Sequence, residues 1–463
     1  MMFKRQDKGK RLRKWLLIVF CLLVLIPSTW LLYTKLEGEK PIIDLNLLSN
    51  VVPANFEITG YADDQKSGIK KLWISLLQNS KETVLLDNEY NTRGFLQKGT
   101  MVHASIKLDV NAKKMNISDG PAKLRIAAWD HSWRDWWNGN QTYMEKEIIF
   151  DTKPPVVSIL SNQHNVAMGG SGLVIYKLSE QCTQSGVFVG EDFFPGYSGY
   201  YEDNDIYLAF FAIPFDYNTK TDFFVKALDL AGNSTRNGFY HHIRNKKFKT
   251  DSINISDNFL NWKLPEFQAD DGFPSDKSAE DKFIFINSEL RKKNNHTILE
   301  NGQKTENQIL WKDAFGRLPN SARRANFADH RVYKYHGNVI SNAVHMGIDL
   351  ASVKHAEIPA ANRGKVVFAG YVGIYGNLVC IDHGFGLMSI YAHLSRMVVN
   401  DGDLVAKGDI IGYTGTSGLA GGDHLHFGMF VDHVFVNPVE WWDSSWINNN
   451  IINKLETVQF MVQ

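Results

Sequence analysis

The chain has 463 residues, which is longer than one ordinary domain, so two to four domains are expected. Hydrophobic residues make up 44% and aromatic residues 12% of the sequence, which is ample material for several packed cores. The formal net charge is zero, but residues 1–14 carry a net charge of +6 and the rest of the chain a net charge of −6. Because no basic domain is left elsewhere, the composition excludes nucleic acid as the expected partner.

Residues 1–14 form a basic head with seven Lys or Arg residues and one acidic residue, Asp7. The apolar run over residues 15–33 is long enough to cross a bilayer core of about 30 Å as a helix. The sequence therefore predicts a single-pass helix in the inner (cytoplasmic) membrane, with a cytoplasmic N-terminus and a periplasmic or extracellular remainder. A cleaved signal peptide is the alternative, but no Ala-x-Ala pattern follows the run, which favours an uncleaved anchor.

Two similar segments follow, residues 40–152 and residues 153–249. Each begins with a proline-led strand and ends with an apolar strand, and short alternating strands with Gly, Asn and Asp turns predict a β-sandwich for each. The second ends in Ala227-Leu228-Asp229-Leu230-Ala231-Gly232-Asn233, a turn that resembles those of bacterial immunoglobulin-like modules. That resemblance implies spacers or binding surfaces.

Four tryptophans crowd into one turn-rich stretch of the first segment, at positions 129, 133, 136 and 137. Flat indole rings suit the faces of sugars, so a carbohydrate site is one reading. The other reading, which we favour, is that the tryptophans cap the sandwich or pack against the next module, because clustered tryptophans usually bury one another.

Residues 250–325 depart from the strand pattern and predict a helical connector. Ser278 resembles a helix N-cap, with acidic residues in the first turn and the basic run Arg291-Lys292-Lys293 at the end. We also hypothesise that this connector covers the catalytic groove until substrate arrives.

Residues 326–447 read as short strands again, and residues 448–463 as a tail. Glycine turns bound the apolar segments at 364–370, 377–382, 387–393 and 409–413, which predicts an antiparallel β domain. The overall fold class is therefore mostly β. The three cysteines are far apart in sequence, so no disulfide is expected, and Cys380 is predicted to be a buried strand residue.

A set of histidines and one aspartate carries the chemistry of this domain. His345 and Asp349 lie in His-Met-Gly-Ile-Asp, and His424 and His426 lie two apart in Asp-His-Leu-His-Phe. Residues two apart on a strand face the same side. Two imidazoles and one carboxylate form a catalytic zinc set that leaves one position open for water. Each motif is common by chance, so the argument depends on their order, with His393 between them.

Taken together, these motifs resemble the lysostaphin or LytM type of zinc metallopeptidase, which cuts peptide bonds in bacterial peptidoglycan. The resemblance covers about 326–443 and includes Asp382-His383-Gly384, Tyr391-Ala392-His393-Leu394 and Asn437-Pro438. Ala328 departs from the pattern, because the family usually has Gly there. The resemblance implies one zinc ion per domain, bound by His345, Asp349 and His426.

The same resemblance places His424 and His393 beside the metal as non-ligands. An imidazole titrates near pH 6.5 and suits proton transfer, so we assign His424 as general base and His393 as its partner. The reverse assignment remains open. The other histidines of the domain are expected to be structural or exposed; they are His330, His336, His355, His383 and His433.

The predicted function is a membrane-anchored zinc endopeptidase acting on the stem-peptide cross-links of peptidoglycan. Its expected partners are these stem peptides, the membrane through one helix, and proteins of cell-wall synthesis or division. The alternatives are a non-catalytic activator of other wall hydrolases and a wall-binding spacer protein. Which cross-link is cut is left open between diaminopimelate-type stems and a glycine bridge.

Overall fold

The structure is a computed structural model that describes residues 8–47, 49–94 and 96–463. Strands account for 43% and helices for 21% of the chain, so the mostly β fold class is confirmed. The chain divides into two compact units, residues 1–154 with 230–233 and residues 155–229 with 234–463. The first seven residues of the predicted basic head lie outside the described residues.

The N-terminal helix runs from Lys8 to Lys35 and contains the apolar run predicted at 15–33. Within the described part of the chain, it is the one helix long and apolar enough to cross a membrane, over Lys10–Lys35. Its apolar side chains are exposed along the run, as Leu23 at 67% and Trp30 at 68% show. A helix that packs against nothing and is apolar all round is typical of a membrane span.

The rest of the first unit is built from two facing sheets. Their orders are β1-β3-β6 and β2-β8-β7-β4-β5. Burial alternates along β6, where Ala104, Ile106 and Val110 face the core, as expected for strands with one covered face. The strands are β1 (Ile42–Asn46), β2 (Val51–Val52), β3 (Asn55–Asp63), β4 (Ile69–Gln78), β5 (Lys81–Glu89), β6 (His103–Asn111), β7 (Gly120–Asp130) and β8 (Gln141–Phe150).

The second unit begins with another pair of sheets, in the orders β14-β15-β11-β9 and β13-β12-β16-β17, beside the two-stranded pair β10-β18. The strands are β9 (Val157–Ile159), β10 (His164–Ala167), β11 (Ser171–Leu178), β12 (Cys182–Val189), β13 (Asp192–Pro195), β14 (Tyr197–Ser198), β15 (Ile206–Ala212), β16 (Phe223–Asp229), β17 (Ser234–Gly238) and β18 (His241–Arg244). The turn Asp229–Asn233 ends β16, where the sequence predicts the end of an apolar strand.

Residues 250–325 contain helices between two strands. β19 (Thr250–Ile255) precedes them and β20 (Ala322–Ala325) follows them. Ser278 caps its helix by accepting from the Asp281 backbone N–H, as predicted. Helical segments lie at Asp257–Lys263, Leu264–Phe267, Ala279–Phe285, Ile286–Leu290, Arg291–Leu299 and Glu300–Lys304.

The C-terminal part is organised around an eight-stranded antiparallel sheet in the order β20-β23-β31-β27-β26-β25-β29, with β32 beside β31. Smaller sheets are β19-β21-β22 and β24-β30-β28. The strands are β21 (His330–Tyr335), β22 (Asn338–Val344), β23 (Ile348–Ala351), β24 (Glu357–Pro359), β25 (Gly364–Val372), β26 (Gly376–Asp382), β27 (Leu387–Leu394), β28 (Arg396–Met397), β29 (Leu404–Val405), β30 (Ile410–Tyr413), β31 (Leu425–Val431) and β32 (Val434–Val436).

The second sandwich and the eight-stranded sheet share one apolar core. Trp441, which is fully buried, lies 6.0 Å from Phe210 and 5.5 Å from Trp311 between ring centroids. Its indole N–H donates to Ser171 Oγ at 3.1 Å. Because burying such large rings is strongly favourable, these parts pack as one compact unit rather than as separate modules.

The C-terminal residues continue this packing as helices. Lys454 donates to the carbonyl of Leu173 at 3.0 Å and Tyr201 donates to the carbonyl of Leu455 at 3.0 Å. The segment expected to be a tail is therefore helical and held against β11. The helical segments are Pro438–Trp442, Ser444–Ile447, Asn448–Ile452 and Asn453–Val462.

Cys380 is fully buried on β26, as the sequence predicts. All three cysteines are free thiols, and burial raises the pKa of the Cys380 thiol, so a nucleophilic role is disfavoured.

Candidate metal centre

Two neighbouring strands bring the predicted ligands together. Asp349 on β23 lies directly opposite His426 on β31 in the antiparallel register. Facing residues on adjacent strands project to the same side of the sheet, so both side chains share one face. His345 lies between β22 and β23, four residues before Asp349.

Three side-chain atoms converge at this point. Asp349 Oδ1 lies 2.9 Å from His345 Nε2 and 3.0 Å from His426 Nδ1. The two nitrogens are 2.9 Å apart. Ligands of a tetrahedral zinc ion lie about 3.3–3.4 Å from one another, so a small outward movement of each atom accommodates the ion.

Neighbouring groups hold two of these side chains in the orientation that a ligand needs. His345 Nδ1 lies 2.9 Å from the carbonyl of Asn326, so this nitrogen donates and Nε2 keeps its lone pair. Arg331 donates to Asp349 Oδ2 at 2.8 Å, which leaves Oδ1 directed at the histidines. Sequence reasoning did not assign these roles to Asn326 and Arg331. Their one signal is their position within the region of family resemblance: Asn326 directly precedes, and Arg331 lies within, the segment Phe327–Tyr333.

The protonation states suit metal binding. Burial alone would raise the pKa of Asp349, but the charge of His345 and hydrogen bonds from three histidines hold it well below 3.8. Burial lowers the pKa of His426 to about 4. Metals bind ionised carboxylates and neutral imidazoles, so the two-histidine, one-carboxylate set fits zinc. His426 Nε2 is buried without a hydrogen-bond partner among the described residues, which leaves Nδ1 as its interacting atom.

Two more imidazoles stand beside the three converging atoms. His424 Nε2 lies 3.5 Å from Asp349 Oδ1, and its Nδ1 lies 2.7 Å from the carbonyl of Gly422. His393 Nδ1 lies 2.8 Å from the carbonyl of Ser417. The His393 and His424 rings are 4.9 Å apart between centroids. In both residues the Nδ1–H donates to a carbonyl, so Nε2 carries the lone pair in the neutral ring; in the charged ring of His424, Nε2–H donates to Asp349.

The pKa values of His424 and His393 are shifted in opposite directions. Burial opposes protonation of His424, but its hydrogen bond and charge interaction with Asp349 outweigh it and raise the pKa of His424 above 6.5. Burial, followed by the proximity of His424 and His426, lowers the pKa of His393 well below 6.5. His393 also has a φ of +64°, a left-handed conformation that is costly for a non-glycine residue and is typical of functional sites.

The helical segment before this domain holds the loop that orients His393. Lys263, which is 1% exposed, donates to the carbonyl of Thr416. Glu266 pairs with Lys263 and accepts from the Gly418 backbone N–H at 2.8 Å. These contacts flank Ser417, whose carbonyl accepts from His393. The connector is therefore attached to the edge of the site, which is the arrangement that the groove-covering hypothesis requires.

Two small residues make room for the centre. A Cβ on Gly347 would lie 2.5 Å from His426 Nε2, so a larger residue there would displace the imidazole. Ala328 has a φ of +60°, which explains why glycine is usual at this position. Its backbone N–H still donates to the carbonyl of His345 at 2.8 Å, so the departure leaves the site intact.

All five predicted site residues thus lie in one cluster. The remaining histidines of the domain lie elsewhere: His330, His336, His355 and His433 are exposed. His383 is fully buried in the turn after β26, with Nδ1 2.8 Å from the carbonyl of Arg363 and Nε2 2.8 Å from Ser389 Oγ. Both of its nitrogens are satisfied by structural partners, so His383 has a structural role.

We expect His383 to make the fold sensitive to acid. Burial lowers its pKa to about 4, against about 6.5 in the unfolded chain. Above pH 6.5 the His383 imidazole is neutral in both the folded and the unfolded chain, so it does not disfavour folding. The free energy of unfolding falls as the pH drops from 6.5 through 4, because the unfolded chain binds the proton more tightly. The loss is on the order of 3 kcal/mol.

His383→Gln, which keeps one donor and one acceptor, should lose correspondingly less unfolding free energy over that range. Denaturant unfolding of both proteins in detergent between pH 4 and 7 measures the difference. If the free energy of unfolding fell equally with pH in the two proteins, this account would be contradicted.

Residues 343–438 match Peptidase family M23, whose members are zinc metallopeptidases. The match covers β23, β27 and β31 and therefore all five clustered residues. The chain thus carries an M23 domain of the LytM or lysostaphin type at its C-terminal side.

The curated relatives match over the same part of the chain. The DD-carboxypeptidase/endopeptidase Mpg of Neisseria meningitidis is 36% identical over 107 residues, which is 23% of this chain and 25% of that protein. The peptidoglycan DD-endopeptidase ShyC of Vibrio cholerae is 33% identical over 135 residues, covering 29% and 30%. The chain therefore spans between a quarter and a third of the length of these relatives.

Among solved structures, the catalytic domain of the antimicrobial peptidase lysostaphin from Staphylococcus simulans is 27% identical. The alignment covers 28% of this chain and 98% of that domain, with a TM-score of 0.24.

Proposed function

We propose that this protein is a membrane-anchored, zinc-dependent endopeptidase that hydrolyses peptide cross-links of bacterial peptidoglycan. The relatives named as peptidoglycan endopeptidases support a cell-wall peptidase. The observation that carries the proposal is the convergence of His345 Nε2, Asp349 Oδ1 and His426 Nδ1 within 3.0 Å, with two further imidazoles beside them.

In this proposal His345, Asp349 and His426 hold one zinc ion. A bound zinc would supply Lewis acidity and a water molecule that ionises near neutral pH. Arg331 fixes the orientation of the Asp349 carboxylate through its 2.8 Å hydrogen bond to Oδ2. Asn326 fixes the tautomer of His345 through its carbonyl.

His424 takes the proton of the attacking water at Nε2 and returns it to the leaving amine. Its Nδ1–H is committed to the carbonyl of Gly422, so Nε2 is the atom that can exchange a proton. His393 presents its Nε2 from the other side of the cleft and orients the water.

The N-terminal helix serves as the membrane anchor in this proposal. Positive residues before the span place the N-terminus in the cytoplasm and the M23 domain in the periplasm. The two sheet pairs, at residues 40–152 and 153–249, are immunoglobulin-like spacers. The helical connector at 250–325 joins them to the catalytic domain at 326–447 and holds the 416–418 loop.

Purified full-length protein in detergent, incubated with cross-linked muropeptides, tests the proposal. We expect about one zinc per chain and products whose masses identify the bond cut, either in a diaminopimelate-type cross-link or in a glycine bridge. His345→Ala should abolish cleavage, while His433→Ala, an exposed histidine of the same domain, should retain it. Cleavage by metal-free protein would contradict the mechanism.

Experiments in cells distinguish the endopeptidase hypothesis from the alternative that the protein is a non-catalytic activator. If His345→Ala fully restores function to a strain lacking the protein, and the purified protein binds a wall hydrolase, the activator reading replaces this one. If His345→Ala fails to restore function although it accumulates normally, the endopeptidase reading stands.

A further inference from the structure

A protruding turn of the first unit exposes two tryptophans. Trp136 is 91% exposed and Trp137 is 52% exposed, although the Trp137 ring packs against the Trp133 ring at 4.8 Å between centroids. Exposed large aromatic groups are costly in water, because they leave apolar area unburied. The 91% exposure of Trp136 is therefore the feature of this turn that calls for an explanation.

The backbone of this turn is strained in a way that favours display of the rings. Asp135, Trp136 and Trp137 have φ values of +46°, +51° and +74° in succession. Left-handed backbone is unfavourable for each of these non-glycine residues. Hydrogen bonds from Asn138 N to the Asp135 carbonyl and from Gly139 N to the Arg134 carbonyl hold the conformation.

The turn is fastened to the exact end of the apolar helix. Trp133 N–H donates to the carbonyl of Lys35 at 2.6 Å, and Arg134 Nε donates to the carbonyl of Leu36 at 2.9 Å. Lys35 is the last residue of the candidate span. If the helix crosses the bilayer, these backbone contacts place the turn at the depth of the lipid headgroups.

Neighbouring side chains match that depth. Trp30 and Tyr33 in the last turns of the helix are 68% and 80% exposed, as expected for aromatic residues at a membrane interface. The Lys70 ammonium donates to the carbonyl of Trp137 at 2.9 Å, so a basic group lies against the backbone of the turn. Tryptophan rings with adjacent basic groups are favoured at the boundary between acyl chains and phosphate headgroups.

We propose that Trp136 and Trp137 insert into the headgroup layer on the face of the bilayer where the helix ends. The turn then forms a second attachment point. It restricts rotation of the first sandwich about the helix and holds the sandwich against the membrane surface. This inference rests on the proposed membrane anchor. It assigns a lipid partner to a surface for which carbohydrate binding is the competing reading.

Quenching of tryptophan fluorescence tests the assignment. The full-length protein is reconstituted into phosphatidylethanolamine/phosphatidylglycerol vesicles with and without acyl-chain-brominated lipid. The double variant Trp136→Phe/Trp137→Phe removes the two reporters and keeps aromatic side chains at both positions. Since Trp15 and Trp30 of the helix are also reached by the lipid, we expect the variant to lose about half of the bromine-quenched emission.

The control is Trp262→Phe, which removes a tryptophan that is 47% exposed in the second unit. This control should leave the bromine-quenched emission unchanged. Unchanged quenching in the double variant would overturn the proposal. So would a muropeptide-induced emission change that the double variant loses, because that result assigns the turn to carbohydrate.

Alkaline extraction separates this inference from the anchor on which it rests. If both proteins resist extraction but the double variant shows no quenching loss, the anchor stands and the tryptophan insertion is refuted. If the wild-type protein is extracted, the anchor fails and the insertion fails with it. The endopeptidase activity is measured independently in detergent.

Discussion

Replacing Asp349 with alanine is expected to remove zinc and abolish peptidoglycan hydrolysis together. Asp349 Oδ1 lies within 3.0 Å of both proposed nitrogen ligands and supplies the one negative charge among the three converging atoms. Its loss leaves two imidazoles without a carboxylate and removes the partner of Arg331, whose cation then lies close to the metal position. Repulsion between that cation and a divalent ion adds to the loss of a ligand.

Zinc content and thermal stability measure this effect without reference to activity. We expect about one zinc per wild-type chain and less than about a tenth per Asp349→Ala chain. Added zinc should raise the melting temperature of the metal-free wild-type protein and leave the variant unchanged, because only a chain that binds the ion is stabilised by it. Asp403→Ala, an exposed carboxylate of the same domain, is the control and should behave as wild type.

Full zinc retention by Asp349→Ala would show that another group is the third ligand. A variant that fails to fold would be recognised by circular dichroism. Asp349→Asn, which keeps the hydrogen bond to Arg331 in a neutral form, then provides the same comparison with less disturbance of the fold.

Replacing His424 with alanine should separate the chemistry from metal binding. His424 Nε2 is 3.5 Å from Asp349 Oδ1 and is not one of the three mutually close atoms. Zinc should therefore remain bound while hydrolysis slows by about 10²- to 10⁴-fold, the usual contribution of a general base. Zinc content and the rate of muropeptide cleavage, measured on the same preparation, check both parts.

Comparison with His393→Ala decides which imidazole moves the proton. If His424 is the base, its removal should cost more than removal of His393, and the double variant should be little slower than His424→Ala alone, because the two act as a unit. Loss of zinc from His424→Ala would make it a ligand. Undiminished cleavage would exclude it from the reaction.

Local sequence patterns were sufficient to predict most of the strands of the M23 domain. Alternation of apolar and polar residues between glycine turns placed β25, β26 and β27 within a few residues, because strand periodicity and turn chemistry are local properties. The spacing of His424 and His426 likewise follows from the two-residue period of a strand. The N-cap at Ser278 was predicted for the same reason, since capping involves residues three apart.

Contacts between distant residues were not accessible in this way. Arg331 reaches Asp349 because β21 and β23 are brought together by the fold, and no local pattern indicates that pairing. The same is true of Lys263 and Glu266, which hold a loop about 150 residues later in the chain. β19 lies inside the segment predicted to be a helical connector, and its parallel partner β21 lies 80 residues later in the chain.

The sequence by itself determined the apolar helix, the strand-rich composition and the five residues that form one cluster, because hydrophobic period and motif spacing are written along the chain. Only the tertiary structure decided that the second sandwich shares a core with the M23 domain. It alone also showed that Arg331 and Asn326 orient the cluster, and that Trp136 and Trp137 are exposed near the end of the N-terminal helix. Those outcomes depend on which surfaces meet, and long-range packing energies, rather than local preferences, select them.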